Sequence, residues 1–258
     1  MLVASRPSAG SDLRVLIPLY NYPQWWNPPQ YIWTNVAAAA RRVPVTAIID
    51  PNNGPDGPVP NVDYQHGLAD LRAAGVELLG YVYTSYGVRP IAEVKSNVDT
   101  YATGWNVNGI FVDETATATN KLAYYGELYD HIHARTGFAR VVINPGTIPA
   151  EPYVSRPAGD VTVWFEDSNT LWSTWSAPSY AGAYPARDFS TLVYDCPSAS
   201  AMTQAVDRAA ARRSGWLYVT DDVLPNPWDT LPPYWNAFVS RVVYWRTNDP
   251  RSVRMVVR

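Results

Sequence analysis

The chain has 258 residues, 47% of them hydrophobic and 17% charged, with a formal net charge of −3. That balance supports a sizeable core and argues against wholesale disorder, and the lack of any Lys/Arg block excludes an anionic-membrane or nucleic-acid surface. No apolar run approaches the ~20 residues that span a bilayer, and the single cysteine, Cys196, excludes an internal disulfide and a thiolate metal cluster.

Residues 1–12 are polar and rich in Ser, Ala and Gly, so they read as a flexible start without the basic n-region and apolar h-region of a signal peptide. The compartment is therefore expected to be extracellular or cell-surface if a leader has been removed, and cytoplasmic otherwise. The first strand is predicted at Val15–Tyr20, and Ile32, Val36 and Ala39 then share one helix face. A second strand, Val45–Asp50, precedes a helix marked by Tyr64, Leu68 and Leu71, with Gly75 placed to end it. The third strand, Glu77–Thr84, leads to Pro90 at a first helical position, followed by Ile91, Val94, Val98 and Tyr101 at helical spacing. Strand four is Gly109–Glu114, and Leu122, Tyr125, Tyr129 and Ile132 mark the next helix. Strands five and six, Ala139–Asn144 and Val161–Glu166, are followed by Pro-, Ser- and Trp-rich stretches that read as loops or short helices. Strand seven is Thr191–Asp195, with a helix at Met202, Val206, Ala209 and Ala210, and strand eight is Trp216–Asp222. The tail, Asn248–Arg258, reads as an extra strand or a loose end.

Most of these strands are continuous apolar runs, the pattern of strands buried on both faces, and their ends recur every 22 to 34 residues, about one βα unit. Eight such strands alternating with helices predict one (β/α)₈ TIM barrel spanning residues 1–258 as a single domain. An open doubly wound sheet is the alternative. It usually carries a Gly-rich phosphate turn after its first strand, whereas here Asn21-Tyr22-Pro23-Gln24-Trp25-Trp26 follows.

Barrel enzymes place their chemistry at the C-terminal ends of the strands. Most of the predicted ends here are Asp, Glu or Asn. For Asp50, Asp195 and Asp222 a helix cap or turn explains the residue as well as a cleft does. Glutamate is a poor cap, so Glu114 and Glu166 are the informative pair, each beside a second carboxylate, Asp113 and Asp167. Strands four and six are next-nearest neighbours, so their terminal carboxylates can face each other. Two carboxylates in one partly dry site push their pKa values apart, leaving one a proton donor and the other ionised, as glycosidic-bond cleavage requires. A divalent-metal site is the competing reading, but the carboxylate cluster or phosphate loop of Mg²⁺ chemistry is not evident. His66, His131 and His133 read as surface residues of helices. Ser85 lacks a nucleophile elbow, and Cys196 reads as a small buried residue. The 18 Tyr and 11 Trp far exceed the 5 Phe. Aromatic rings at or beyond strand ends, among them Tyr20, Tyr22, Trp25, Tyr83, Tyr86, Trp164, Trp172 and Trp228, either stack on sugars or pack the loops.

Several segments together resemble one family. They are Asp50-Pro51-Asn52-Asn53-Gly54-Pro55, Gly80 to Pro90, Gly109-Ile110-Phe111-Val112-Asp113-Glu114, Asn144-Pro145-Gly146-Thr147, Phe165-Glu166, and Val219 to Asp222 with Pro225-Asn226-Pro227-Trp228-Asp229. In order, from about Leu16 to Tyr234, they resemble the spherulin-4-like family (spherulation-specific family 4), whose fungal members fall in glycoside hydrolase family 135. The resemblance implies a (β/α)₈ barrel and endo-cleavage of galactosaminogalactan at α-1,4-linked N-acetylgalactosamine. It implies Asp113 as nucleophile, Glu166 as general acid/base and Glu114 as a supporting carboxylate. Substrate contacts are expected from Tyr20, Asp50, Asn52, Tyr83, Ser85, Tyr86, Arg89, Asn144, Trp164, Asp221, Asp222 and Trp228. Asp50 stands where the family more often has Asn. The expected protein is a monomer acting on a polysaccharide, with no cofactor, metal, nucleic-acid or membrane partner. A sugar-binding barrel of a surface or spore coat, without turnover, is the second reading.

Overall fold

The computed structural model describes residues 12–155 and 158–247. The predicted tail at Asn248–Arg258 and most of the expected flexible start lie outside them. Eight parallel strands close into a barrel in sequence order: β1 Arg14–Pro18, β2 Val45–Ile49, β3 Glu77–Tyr83, β4 Gly109–Asp113, β5 Arg140–Ile143, β6 Val161–Ser168, β7 Phe189–Tyr194 and β8 Trp216–Val219. Closure comes from β1 pairing with β8, which excludes the open sheet. The strands are almost wholly buried because helices cover their outer faces while side chains fill the interior.

The outer ring comprises α1 Trp33–Ala40, α2 Val62–Ala73, α3 Ile91–Thr100, α4 Leu122–His133, α5 Pro152–Ser155, α6 Asn169–Thr174, α7 Ala199–Ala211 and α8 Trp235–Thr247. Gly75 follows α2 at φ +80°, the left-handed conformation that ends a helix at low cost for glycine. Pro90 sits one residue outside α3, at its N-cap. The two Pro/Ser/Trp-rich stretches form the short helices α5 and α6. α8 was not among the predicted elements; its buried face is Trp235, Phe238, Val239 and Val242.

Charge and aromatic contacts tie strands together at the N-terminal end of the barrel. The Arg140 guanidinium donates to Glu77 at 2.7 Å, and Arg14 and Arg140 both lie over the Trp216 ring, at 5.2 and 4.9 Å from its centroid. Histidines of α4 tie it to its neighbours on the surface: His131 meets Asp99 of α3 at 2.8 Å, and His133 meets Asp160, just before β6, at 3.1 Å. Cys196 is buried and unpaired with another cysteine.

Candidate active site

The opposite end of the barrel gathers four side chains from four consecutive strands. Asp113 ends β4, Tyr81 lies within β3, Asn144 follows β5 and Glu166 lies in β6. The Tyr81 hydroxyl donates to Asp113 Oδ2 at 2.6 Å. Asn144 Nδ2 donates one hydrogen to Asp113 Oδ1 at 2.7 Å and the other to Glu166 Oε2 at 2.6 Å. Its Oδ1 accepts the Gly146 N–H at 2.9 Å, so the amide is held in this orientation. The two carboxylate oxygens that share Nδ2 can be no farther apart than those two bonds laid end to end.

A bulge in β6 aims Glu166. Pairing with β7 shifts register between Val163 and Phe165, which leaves Trp164 as the extra residue. Trp164 and Phe165 consequently both pack on Trp175 outside the barrel, at 5.2 and 5.8 Å, and the next residue, Glu166, turns inward. Unbroken alternation would have put Trp164 and Glu166 on one face. This corrects the expectation that Trp164 contacts substrate. Its ring is fully buried and stacks on Phe189 at 3.8 Å, and its N–H donates to Thr191 and Ser214.

Tight loops hold the site's outer wall. Gly146, at φ +65°, offers its carbonyl to the Glu166 N–H at 2.9 Å, tying the β5 loop to β6. Glu114, Ser85, Tyr86 and Gly87 all have left-handed backbones, three of them in succession. Such conformations persist only where neighbours over-determine them. Here the Glu114 carbonyl accepts the Tyr86 N–H at 2.7 Å and the hydroxyl of buried Thr84 at 2.8 Å.

Both members of the acid pair keep partial access to solvent but are otherwise ringed by protein. Loss of water pushes Glu166 up to about 7, helped by the charge of Asp113 and opposed by hydrogen bonds from Asn144 and Trp228. Desolvation also raises Asp113, against hydrogen bonds from Tyr81, the Glu114 backbone and Asn144, while the nearby Glu114 charge adds to the rise. The Tyr20 hydroxyl is driven far up by burial and then by Asp113, Tyr81, Asp50 and Glu166, so it stays protonated. Its ring meets Tyr81 edge-on at 5.8 Å.

Of the other expected contacts, Asp50 borders the group and also organises its loop. Its Oδ1 accepts the Gly54 N–H at 3.0 Å, and burial, followed by the neighbouring Asp113 charge, pushes it up to about 6. Trp228 reaches Glu166 from the loop after β8. Tyr83 is half-buried beneath Arg89, whose guanidinium lies 4.3 Å from its ring centroid and donates to its carbonyl. Arg89 also faces Glu93 at 3.6 Å, so its contacts are with β3 and α3. Ser85 is half-buried, and Asn52 and Tyr86 are exposed. Asp222 accepts a hydrogen bond from Thr230 and so serves its own loop; Asp221 acts on Cys196 and Tyr234. Tyr81 was missed by sequence reasoning, although strand alternation puts it on the same face as Tyr83.

A cavity of about 490 Å³ opens at the other end of the barrel, beside Arg14, Arg140, Asp160, Arg187 and Trp216, away from the acid pair. Among the described residues no group of three His, Cys, Asp or Glu side chains converges to hold a metal ion, and no helix is long and apolar enough to cross a membrane.

Known proteins share this sequence and barrel fold to different depths. Sph3 of Aspergillus clavatus, solved in complex with GalNAc, is similar with a TM-score of 0.75 and 27% identity, covering 90% of this chain and 97% of its own. An endo-alpha-mannosidase of family GH99 from Bacteroides thetaiotaomicron shares the barrel fold at a TM-score of 0.53 and 10% identity, covering 96% and 99% of the two chains. Spherulin-4 of Physarum polycephalum is 33% identical over 224 residues, which are 83% of this chain and 65% of that protein's length. Residues 14–242, nearly all of the described barrel, match the Spherulin4 family, and the chain therefore belongs to spherulation-specific family 4.

Proposed function

We propose that the protein is an endo-acting glycoside hydrolase that cleaves an amino-sugar polysaccharide, rich in α-1,4-linked N-acetylgalactosamine, with retention of configuration. The observation that carries this reading is the single amide of Asn144 bonded to both Asp113 and Glu166. One nitrogen bonded at 2.7 and 2.6 Å holds those two carboxylate oxygens closer than the roughly 6.5–9.5 Å that an inverting enzyme needs for its water, which supports the closer pairing, about 5–5.5 Å, of retaining enzymes. Likeness to Sph3 in complex with GalNAc supports a carbohydrate-active barrel.

The two acids have different surroundings. Asp113 is the intrinsically stronger acid and accepts hydrogen bonds from Tyr81, Asn144 and the Glu114 backbone, all of which favour its ionised form. Glu166, raised to about 7, holds the proton. Asp113 attacks the anomeric carbon while Glu166 protonates the departing glycosidic oxygen. Glu166, now ionised, then takes a proton from water as that water displaces Asp113, which restores both groups. Tyr20 and Asp50 border the sugar that reacts, and Glu114 supports the charge balance.

Release of reducing ends from partly deacetylated galactosaminan tests this reading. The rate is expected to fall as pH rises through about 7, because activity requires protonated Glu166. Alginate, an anionic chain facing Asp50, Asp113, Glu114 and Glu166, is expected to remain intact. Cleavage of alginate, or a rate that keeps rising above pH 8 or so, contradicts the assignment.

A further inference from the structure

We infer that the loop after β1 builds a second carbohydrate-binding surface, a platform centred on Trp26 that holds a distant part of the polymer chain. The inference rests on the glycosidase reading above and extends it to how a long substrate is gripped.

Trp26 is 54% exposed, high for an indole, yet its position is supported from two sides. Trp25 meets it edge-on at 5.9 Å and 87°, and Tyr22 at 6.3 Å and 65°. Both supports are anchored to one carboxylate: Asp63 accepts the Tyr22 hydroxyl at 2.6 Å and the Trp25 N–H at 3.0 Å. His66 stacks on Trp25 at 4.7 Å, which occupies one of its faces. Tyr22 in turn meets the buried Tyr64 edge-on at 5.4 Å. The aromatic stack thus runs from the core to the surface, with Tyr22 and Trp25 tied to Asp63, and its most exposed ring is Trp26. An exposed indole held by ring contacts on two sides suits the C–H face of a pyranose, because less side-chain entropy remains to be lost on binding.

Position and charge identify the ligand. The loop follows β1 and Tyr20 at the C-terminal end of that strand, so it lies on the same rim as the acid pair. Asp50, which borders that pair, also acts on the Tyr64 hydroxyl beneath the platform. The acids nearest the platform are Asp50, Asp56 and Asp63, with His66 stacked on Trp25, whereas Arg41 and Arg42 follow α1 towards the other end of the barrel, where Arg41 shares a cavity with Asp70. An aromatic face set among carboxylates fits a neutral or cationic amino-sugar chain and disfavours an anionic one.

Trp26→Ala tests the platform in two backgrounds. In the Glu166→Gln protein, which keeps the polymer intact, the variant is expected to bind long partly deacetylated galactosaminan roughly three- to tenfold more weakly. In the otherwise native protein, kcat/KM on that polymer is expected to fall by the same factor, while kcat/KM on an aryl N-acetylgalactosaminide stays unchanged. Equal polymer binding with and without Trp26, or an equal loss on the short substrate, overturns the platform. Trp26-dependent binding in a protein that cleaves neither substrate leaves the platform standing and removes the hydrolase reading instead.

Discussion

Glu166→Gln is expected to lower kcat on the polymer by about 10²–10⁴, the usual worth of a general acid. The substitution keeps the shape of the side chain and an oxygen to accept from Asn144, now 2.6 Å from Glu166 Oε2. What it removes is the proton that burial and the Asp113 charge hold on this group near neutral pH. On an aryl glycoside whose leaving group departs without protonation, the loss in kcat/KM, which reports the first step, is expected to shrink sharply, while kcat stays low because Glu166 also serves as base in the second. That contrast separates a proton donor from a residue that only shapes the cleft. Native turnover by Glu166→Gln on the polymer, with an unchanged melting temperature, removes Glu166 from the reaction.

Asn144→Ala is expected to cost about 10²–10³ in kcat, comparable to removing one preorganised donor from a site. Asn144 donates to Asp113 at 2.7 Å and to Glu166 at 2.6 Å, so its loss frees both carboxylates at once. The sign of the pH effect follows from the same bonds. Asn144 favours the ionised form of each acid, so removing it raises both groups. Both limbs of the kcat/KM profile are therefore expected to move to higher pH. A residue that merely touched substrate would raise KM and leave the limbs in place. A residue needed only for folding would lower the melting temperature and also leave them in place. Unmoved limbs in a well-folded Asn144→Ala protein contradict the bridging role.

The barrel was legible in the sequence because strands buried on both faces leave unbroken apolar runs, and runs such as Val45–Ile49 and Gly109–Asp113 stand where expected. Of the acid pair, Glu166 was legible because a glutamate at the end of a buried strand has little use as a cap; the same reasoning pointed to Glu114, and only the family resemblance singled out its neighbour Asp113. What could not be read was a departure from alternation. Trp164 looked like a cleft residue because the one-residue bulge in β6 depends on packing against Phe189 and Trp175, which only the folded chain brings together. Tyr81 was overlooked in favour of the strand-end tyrosine Tyr83, although the two share a face. Asn144 was taken for a sugar contact because its bond to Glu166 depends on where that same bulge turns the side chain. α8 went unpredicted because its apolar positions are mixed with Asn236, Arg241 and Arg246 and its start carries no acidic residue or clear cap.

The central claim, retaining cleavage by Asp113 and Glu166, is tested most directly by the stereochemistry of the first product. Proton NMR of an α-1,4-linked N-acetylgalactosamine oligosaccharide, followed from the moment enzyme is added, resolves the newly formed reducing end before it mutarotates. The α-anomer is expected first, and no signal is expected with Asp113→Asn. A β-anomer appearing first, or unchanged α-product from Asp113→Asn, contradicts the account.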